Sequence, residues 1–237
     1  FFGIPLNSII DTDPRTVNAE LQGLFSTALG HFTIGADWAE SDADITLSNE
    51  TDDPFLQMLL GPPTVTNETD HYISGYGYWT LSPMESLDLT VGVSYAELKA
   101  DTYGQAISGW YPKFAAVYHV NSDIELHAAY FQTLKRPSSL EQTLEPTQVG
   151  GFNQLDDEAQ GVESSQYSVG IDIDAGNGHK IGAEASQRES DIPFAQQNQF
   201  SAEADTTRAQ VFWSWGNKPW SIAAKYQYEK SEFDNPG

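Results

Sequence analysis

The sequence predicts an all-β protein: an antiparallel up-and-down transmembrane β-barrel, or a partial barrel, of about 10–12 strands. Apolar and polar residues alternate with a period of two along most of the chain, as in strands whose two faces meet different surroundings. Short turn-like segments alternate with much longer polar segments. The chain is rich in aromatic residues (6 Trp, 11 Tyr and 12 Phe). No apolar run approaches the ~20 residues that a membrane helix needs.

Ten segments carry the alternating pattern and are predicted as strands. In the clearest of them, Leu89 and Val91 lie on one face and Thr90 on the other. The ten segments are residues 20–28, 31–38, 70–81, 86–96, 110–120, 124–133, 164–174, 179–188, 206–215 and 220–229.

Five short segments between these strands have turn chemistry, which predicts antiparallel hairpins. The strongest is AGNG at residues 175–178, because Gly and Asn adopt positive φ at little cost. The other four are residues 29–30, 82–85, 121–123 and 216–219.

Long polar segments near residues 40–69, 137–163 and 189–205 are predicted as loops of a single barrel segment spanning residues 1–237. The first exceeds the usual ceiling of about 15 residues for connections without regular structure. We therefore expect it to be either functional or disordered. All three lie at the end of the strands opposite the short turns, an asymmetry that bacterial outer-membrane barrels share.

Aromatic residues on the apolar face fall near the predicted strand ends, as expected for girdles at two membrane interfaces. They are Trp38, Trp79, Tyr95, Tyr130, Trp215, Trp220 and Tyr228. The opposite face is small and polar, which suits a wet or plugged interior. We therefore expect outer-membrane lipid as a partner and the outer membrane of a Gram-negative bacterium as the location.

A soluble, secreted all-β module, such as a β-sandwich or an adhesin-like domain, is the alternative. In a sandwich the apolar faces of two sheets cover each other, so alternation with aromatic residues is also expected there. Such domains lack the systematic difference between the two ends of the strands.

The net charge of −23 (34 Asp and Glu against 11 Lys and Arg) argues against nucleic-acid binding, because phosphate contacts need a basic surface. The acidic residues cluster at predicted strand ends and loops. The absence of cysteine excludes disulfides and thiolate-bound metal.

Five short stretches resemble, in the same order, the barrels of TonB-dependent receptors. They are YPKFAAVY at residues 111–118, IELHAAYF at 124–131, LKRPSSL at 134–140, EP at 145–146 and YSVG at 167–170. The resemblance implies a non-enzymatic barrel with a role in solute or nutrient uptake, or porin-like passage, across the outer membrane.

The stretch LEPTQVGGFN at residues 144–153 also resembles barrels fused behind tetratricopeptide repeats. The chain departs from full receptors: no plug domain, TonB box or terminal aromatic-ending strand is recognised, and a full barrel implies about twice as many strands. We therefore expect part of a barrel, completed by missing segments or by other chains. Active TonB-driven transport is not inferred.

Catalytic residues and cofactors are not predicted, and the sequence identifies no ligand-binding residues. His119 and His127 are candidates for a cross-strand metal site, because they flank the turn at residues 121–123. Isolated histidines on a polar face are far commoner than histidines that bind metal, so no metal site is predicted.

The acidic clusters offer calcium candidates, since hard cations prefer carboxylate oxygens. The candidates are Asp42, Asp44, Asp156, Asp157 and Glu158. Their spacing does not match a twelve-residue calcium loop, and solvated charge is the default interpretation. The basic pair at residues 135–136 ends a strand, where anionic lipid headgroups or neighbouring carboxylates are its expected contacts.

Overall fold

Ten long strands form one antiparallel sheet in the computed structural model, and each strand pairs with the long strands before and after it in the chain. The structure describes residues 6–51, 53–101, 103–104, 106–137, 142–154, 158–193 and 202–234. The strands of the sheet are β1 (Leu6–Thr27), β2 (Gly30–Thr51), β3 (Thr64–Met84), β4 (Leu87–Ala100), β5 (Ala106–Asn121), β6 (Ile124–Leu134), β9 (Glu163–Gly176), β10 (His179–Ile192), β11 (Ala202–Asn217) and β12 (Trp220–Asp234). A short helix, α1 (Pro54–Leu60), follows β2, and a small hairpin of β7 (Gln148–Val149) and β8 (Phe152–Asn153) follows β6.

The connections differ systematically between the two ends of the sheet, as the sequence predicts. Turns of two residues join β1 to β2, β3 to β4, β5 to β6, β9 to β10 and β11 to β12. In the β9–β10 turn, Asn177 (φ 53°) and Gly178 (φ 82°) both adopt the left-handed conformation that a tight hairpin turn needs. The longer connections all lie at the opposite end. We call these the short-turn end and the long-connection end.

The sheet is not closed in this chain. Among the described residues, β1 pairs only with β2, and β12 pairs only with β11. The ten-stranded sheet has no second large sheet stacked on it in the part that is described, so the sandwich alternative is not observed. These features confirm an up-and-down partial barrel. No helix in the described ranges is both long enough and apolar enough to cross a membrane.

The strands are staggered along the sheet, as closure into a barrel requires. Phe32 lies two residues from the start of β2, whereas Gln187 lies eight residues from the start of β10. One row of directly paired residues joins them: Phe32, Trp79, Val91, Phe114, Tyr130, Tyr167 and Gln187. From β2 to β10, the row of paired residues therefore shifts from the short-turn end towards the long-connection end.

The first predicted loop is much shorter than residues 40–69. Strand β2 continues to Thr51 and β3 begins at Thr64, so residues 40–51 and 64–69 are paired strands. Residues 6–19, where no strand was predicted, also pair with β2. A membrane strand needs only ~9–11 residues. Where longer strands project beyond a bilayer, polar residues can occupy both faces, and the alternation fades although backbone pairing continues.

The third predicted loop is also shorter than residues 189–205, because β10 reaches Ile192 and β11 begins at Ala202. The second, near residues 137–163, does connect two long strands, but it contains the β7–β8 hairpin. The assignment of the whole chain to a single barrel segment stays a prediction.

The two faces of the sheet have opposite characters. On the outer face, Val91, Val93, Val169 and Val211 are between 41% and 58% exposed. On the inner face, many of the side chains that alternate with them are buried, and several of these are polar. Buried inner-face serines are Ser74, Ser94, Ser164 and Ser168. The outer face therefore exposes large apolar residues that a soluble protein would cover. The inner face buries polar side chains beside apolar ones such as Leu98 and Phe131.

Candidate functional site

The inner face holds three buried basic side chains, and these organise the candidate site. Lys113 is 2% exposed, Arg136 is 5% exposed and Arg188 is 6% exposed. Alternation places Lys113 and Arg188 on the inner face, whereas Arg136 follows the end of β6 and turns inward. A buried charge is costly unless it is paired, so each of these side chains requires an anionic or polar partner.

Arg136 is surrounded by three carboxylates from distant parts of the chain. Its Nη1 lies 3.2 Å from Glu20 Oε1 and 3.3 Å from Asp37 Oδ2, and its Nη2 lies 3.6 Å from Glu145 Oε2. The guanidinium carbon is also 5.5 Å from the centre of the Tyr72 ring, within the range of a cation–π contact. The basic pair predicted at residues 135–136 therefore contributes Arg136 to neighbouring carboxylates.

Glu145 connects this cluster to the middle of the sheet. Tyr78 donates its hydroxyl hydrogen to Glu145 Oε1 at 2.6 Å, and Lys113 Nζ lies 3.9 Å from the same oxygen. Lys113 also donates to the Gln132 carbonyl at 3.1 Å. Gln154, which is 2% exposed, donates to the Tyr78 hydroxyl at 3.0 Å. One carboxylate thus balances two buried cations.

The segment that carries Glu145 folds inward over the sheet. We call residues 142–154, which include the β7–β8 hairpin, the inner loop. Its Val149 (1% exposed) and Phe152 (6% exposed) pack in one apolar cluster with Phe131 and Tyr78 of the inner face. Gly150 has φ +59°, and a Cβ there would lie only 2.6 Å from the Cβ of Ala115. The inner loop therefore contacts the sheet closely and narrows the interior.

A second ionic cluster lies around Arg188 of β10. Its anionic partner lies near the end of the connection between β6 and β9. Arg188 Nε lies 3.0 Å from Glu158 Oε1, and its Nη2 donates to Glu158 Oε2 at 3.1 Å and to Ser164 Oγ at 2.8 Å. Ser190 donates to Glu158 Oε1 at 2.7 Å. Glu158, a calcium candidate from the sequence, is therefore occupied as the partner of an arginine.

The other calcium candidates are not brought together into a site. Asp42 and Asp44 are exposed on β2, and Asp42 Oδ1 accepts a hydrogen bond from Thr69 Oγ1 at 2.9 Å. Asp156 and Asp157 lie outside the described residues.

The two candidate histidines lie on the inner face but do not oppose each other. The β5–β6 register places His119 opposite Glu125, and His127 opposite Val117. Instead, both histidines approach the Glu125 carboxylate: His119 Nδ1 lies 3.0 Å from Oε1, and His127 Nε2 lies 3.9 Å from Oε2. Asp88 and Asp172 extend this group on the flanking strands, at 3.1 Å from His119 Nε2 and 3.0 Å from His127 Nε2 respectively.

The sequence identifies Glu158 only as a calcium candidate and does not reveal which carboxylates pair with the buried cations. The alternating pattern carries a partial signal for the cations. Lys113 stands on the same face as Tyr111 and Ala115, so alternation alone places a charge on the inner face. Alternation gives no indication that its partner is Glu145, 32 residues away in a predicted loop. The arrangement of these residues is suited to holding a loop and to binding polar solutes or ions.

The fold and the charge-paired inner face define the wall of a β-barrel with a polar interior. The family described as "TonB dependent receptor-like, beta-barrel" matches residues 2–186. The chain belongs to this family, as the resemblance at residues 111–170 implies. It is a non-enzymatic transporter family of the outer membrane of Gram-negative bacteria, and its members take up siderophores and metals.

Solved structures of outer-membrane receptors have the same fold at low sequence identity. The ferric yersiniabactin uptake receptor FyuA from Yersinia pestis has a TM-score of 0.65 and 14% identity, over 98% of this chain and 37% of that chain. The pyoverdine receptor FpvA from Pseudomonas aeruginosa PAO1, bound to pyoverdine, gives the same four values. The alcaligin receptor FauA from Bordetella pertussis has a TM-score of 0.59 and 16% identity, over 96% of this chain and 40% of that chain.

The chain thus spans well under half the length of these receptors. No curated protein sequence matches the chain. The likeness to the solved receptors concerns the fold, because the sequence identities are low.

Proposed function

We propose that this chain forms part of the wall of an outer-membrane receptor that takes up a solute into a Gram-negative bacterium. One observation carries the proposal: apolar side chains are exposed on the outer face, and paired charges are buried on the inner face, the reverse of what a soluble protein shows. A hydrocarbon environment outside and a polar path inside account for both.

Lipid is the partner proposed for the outer face. Leu126, Val169, Val211 and Tyr226 line a shallow apolar groove there, together with small alanine side chains. Acyl chains fit such grooves and would remove the exposed apolar surface from water, at about 25 cal/mol for each Å². The two open edges, β1 and β12, are proposed to pair with further strands of the same protein or with other chains.

The orientation follows from the unequal ends of the sheet. In outer-membrane barrels the short turns face the periplasm and the long connections face outward. The long-connection end is strongly acidic; among its exposed carboxylates are Asp42, Asp44, Asp101, Asp191 and Asp205. This orientation presents a negative field to arriving solutes.

The proposed solute is a metal complex without net negative charge. The three solved receptors described above are receptors for yersiniabactin, pyoverdine and alcaligin, which favours a chelated metal as the substrate class. A negative entrance concentrates cationic solutes and repels anionic ones, because association is steered by the summed charge. Neutral or cationic complexes are therefore expected to arrive fastest.

The test is an uptake assay in a strain that lacks the full-length gene. Radioactive iron would be supplied in cationic, neutral and anionic complexes, and the gene would be restored as wild type, as Val91→Arg or as Thr90→Arg. We expect the wild type and Thr90→Arg to restore uptake of a non-anionic complex. Val91→Arg should fail, because a charge on the lipid-facing side impairs assembly.

Equal uptake in the deletion and wild-type strains for every complex would contradict the receptor role. Uptake restricted to anionic complexes would contradict the proposed charge preference but would still support the receptor role. Recovery of the wild-type protein in the soluble fraction, without heat-modifiable migration, would contradict the membrane location.

A further inference from the structure

Three potential metal ligands meet on the inner face, near the short-turn end. Glu125 on β6 and Asp172 on β9 are directly paired across the two strands, and His127 lies two residues beyond Glu125 on the same face of β6. One nitrogen or oxygen from each side chain lies within 4.8 Å of the other two. Backbone pairing fixes the spacing of all three residues, so the arrangement does not depend on a loop.

The imidazole of His127 lacks the hydrogen bonds that a buried histidine requires. Its side chain is 13% exposed, and neither ring nitrogen has a hydrogen-bond partner. Nε2 nevertheless lies 3.0 Å from Asp172 Oδ2, an ion-pair distance at which no hydrogen bond is formed. Buried polar atoms without partners are rare and costly, and one explanation is a bound ion.

Metal coordination accounts for a short contact between two polar atoms that form no hydrogen bond. Two ligands that each lie ~2.0–2.2 Å from one ion, at right angles, are separated by about 3 Å, and both point to the ion. The His127–Asp172 contact has this separation. Glu125 Oε2, at 3.9 Å from His127 Nε2, is within reach of the same ion after a small side-chain rotation.

Neighbouring residues orient two of these three ligands. The other oxygen of Glu125 is held by His119 Nδ1 at 3.0 Å, and His119 Nε2 contacts Asp88 at 3.1 Å. On the Nδ1 side of His127, a Cβ at Gly151 of the inner loop would lie 3.3 Å away. The inner loop therefore approaches Nδ1, and Nε2 faces the carboxylates.

We propose that Glu125, His127 and Asp172 bind one divalent transition-metal ion inside the barrel. One imidazole nitrogen with two carboxylate oxygens suits Mn²⁺, Fe²⁺, Co²⁺ or Zn²⁺, whereas Ca²⁺ and Mg²⁺ prefer oxygen ligands alone. The carboxylates are 45% and 46% exposed, which leaves room for water molecules in the remaining coordination positions. The competing explanation is a direct contact of His127 with the two carboxylates, with no metal.

The test is metal binding by the full-length protein, purified in detergent and stripped with a chelator. Co²⁺ would be added and followed by its visible absorption, and Zn²⁺ would then compete for the site. We expect a saturable site with one ion for each chain. His127→Gln should weaken binding by more than about 100-fold, since even outer partners of metal ligands contribute ~10–100-fold.

His71→Gln is the matched control, because His71 is half-exposed, lies towards the long-connection end of β3 and has its ion-pair contact with Glu40, at 3.4 Å. It should bind Co²⁺ as the wild type does. If His127→Gln fails to fold, Asp172→Asn should show the same loss of binding in a protein that retains heat-modifiable migration.

The proposal is overturned if the wild type binds no stoichiometric Co²⁺ or Zn²⁺, if folded His127→Gln and Asp172→Asn bind as tightly as the wild type, or if His71→Gln loses binding equally. Because binding is measured on purified protein, a failure of the uptake assay leaves this result unaffected.

Discussion

The inner and outer faces of the sheet are built from the same strands, yet they expose and bury opposite kinds of side chain. The outer face leaves valines and aromatic rings exposed, whereas the inner face buries Lys113, Arg136 and Arg188 among carboxylates, hydroxyls and amides. In a soluble protein the apolar side would be covered by other parts of the protein. The difference shows that the surroundings of a face, and not the strand itself, decide which residues are tolerated there.

The inner face also differs from an open aqueous channel, because the inner loop covers part of it. Glu145 and Gln154 replace water as partners of Tyr78 and Lys113. Desolvated charges of this kind are strongly destabilising when one partner is removed. Among the described residues, the outer face carries no buried ionic network of this kind, so added charge is the change to which it should be sensitive. Four pairs of substitutions test this contrast.

The largest effect is expected from Arg136→Met. It would leave Glu20, Asp37 and Glu145 without their shared cation, and loss of one partner in a buried ionic cluster costs about 3–5 kcal/mol. The free energy of unfolding would be measured with urea for the full-length protein in lipid vesicles. Arg15→Met is the control, since Arg15 is exposed and forms a long ion pair with the exposed Asp13, at 3.8 Å; its expected cost is about 0–1 kcal/mol. If both variants lose the same free energy of unfolding, the buried ionic cluster contributes no more to stability than an exposed ion pair, and the prediction is wrong.

The next largest effect is expected from Val91→Arg on the outer face. A lipid-facing arginine near the middle of a bilayer costs about 2–4 kcal/mol, because its charge leaves water for hydrocarbon. Thr90→Arg, one residue away on the inner face, should be mild. The same unfolding measurement compares them, and it should give the same ranking for Ile222→Arg against Ala223→Arg on β12. If arginine is tolerated equally in place of Val91 and of Thr90, the result would argue against lipid contact.

A smaller effect is expected from Tyr78→Phe. The substitution removes the hydroxyl that donates to Glu145 and accepts from Gln154, and a hydrogen bond to a charged group contributes about 1.5–3 kcal/mol. Tyr167→Phe on the outer face, where the ring is 56% exposed, should change stability by less than about 0.5 kcal/mol. Hydrogen exchange would locate the change: the inner loop should exchange faster in Tyr78→Phe only. Unaltered exchange there would mean that the Tyr78–Glu145 bond does not hold the loop.

Much of the fold could be predicted because local chemistry specifies it. The alternation of Thr90 and Val91 assigns the two faces, and Asn177 with Gly178 specifies a tight turn. The prediction was wrong for residues 40–51 and 64–69, which are strands. Acidic residues interrupt the apolar pattern there, but the backbone hydrogen bonds that hold the pair do not depend on that pattern.

The candidate site was predicted only in part. His119 and His127 could be singled out as residue types, but the register that brings both of them to Glu125 is a property of the assembled sheet. Arg136 could be seen as a basic residue at a strand end. Its contact with Glu20, 116 residues away, could not.

The sequence by itself determined the central parts of the ten long strands, the hairpin turns, the two faces and the inequality of the two ends, because periodicity and turn chemistry act over a few residues. Only the tertiary structure decided that the inner loop folds over the inner face, which carboxylate neutralises each buried cation, and that His127 meets Glu125 and Asp172. Those contacts join residues that are distant in the chain, and strand stagger and loop packing, which no local pattern records, bring them together.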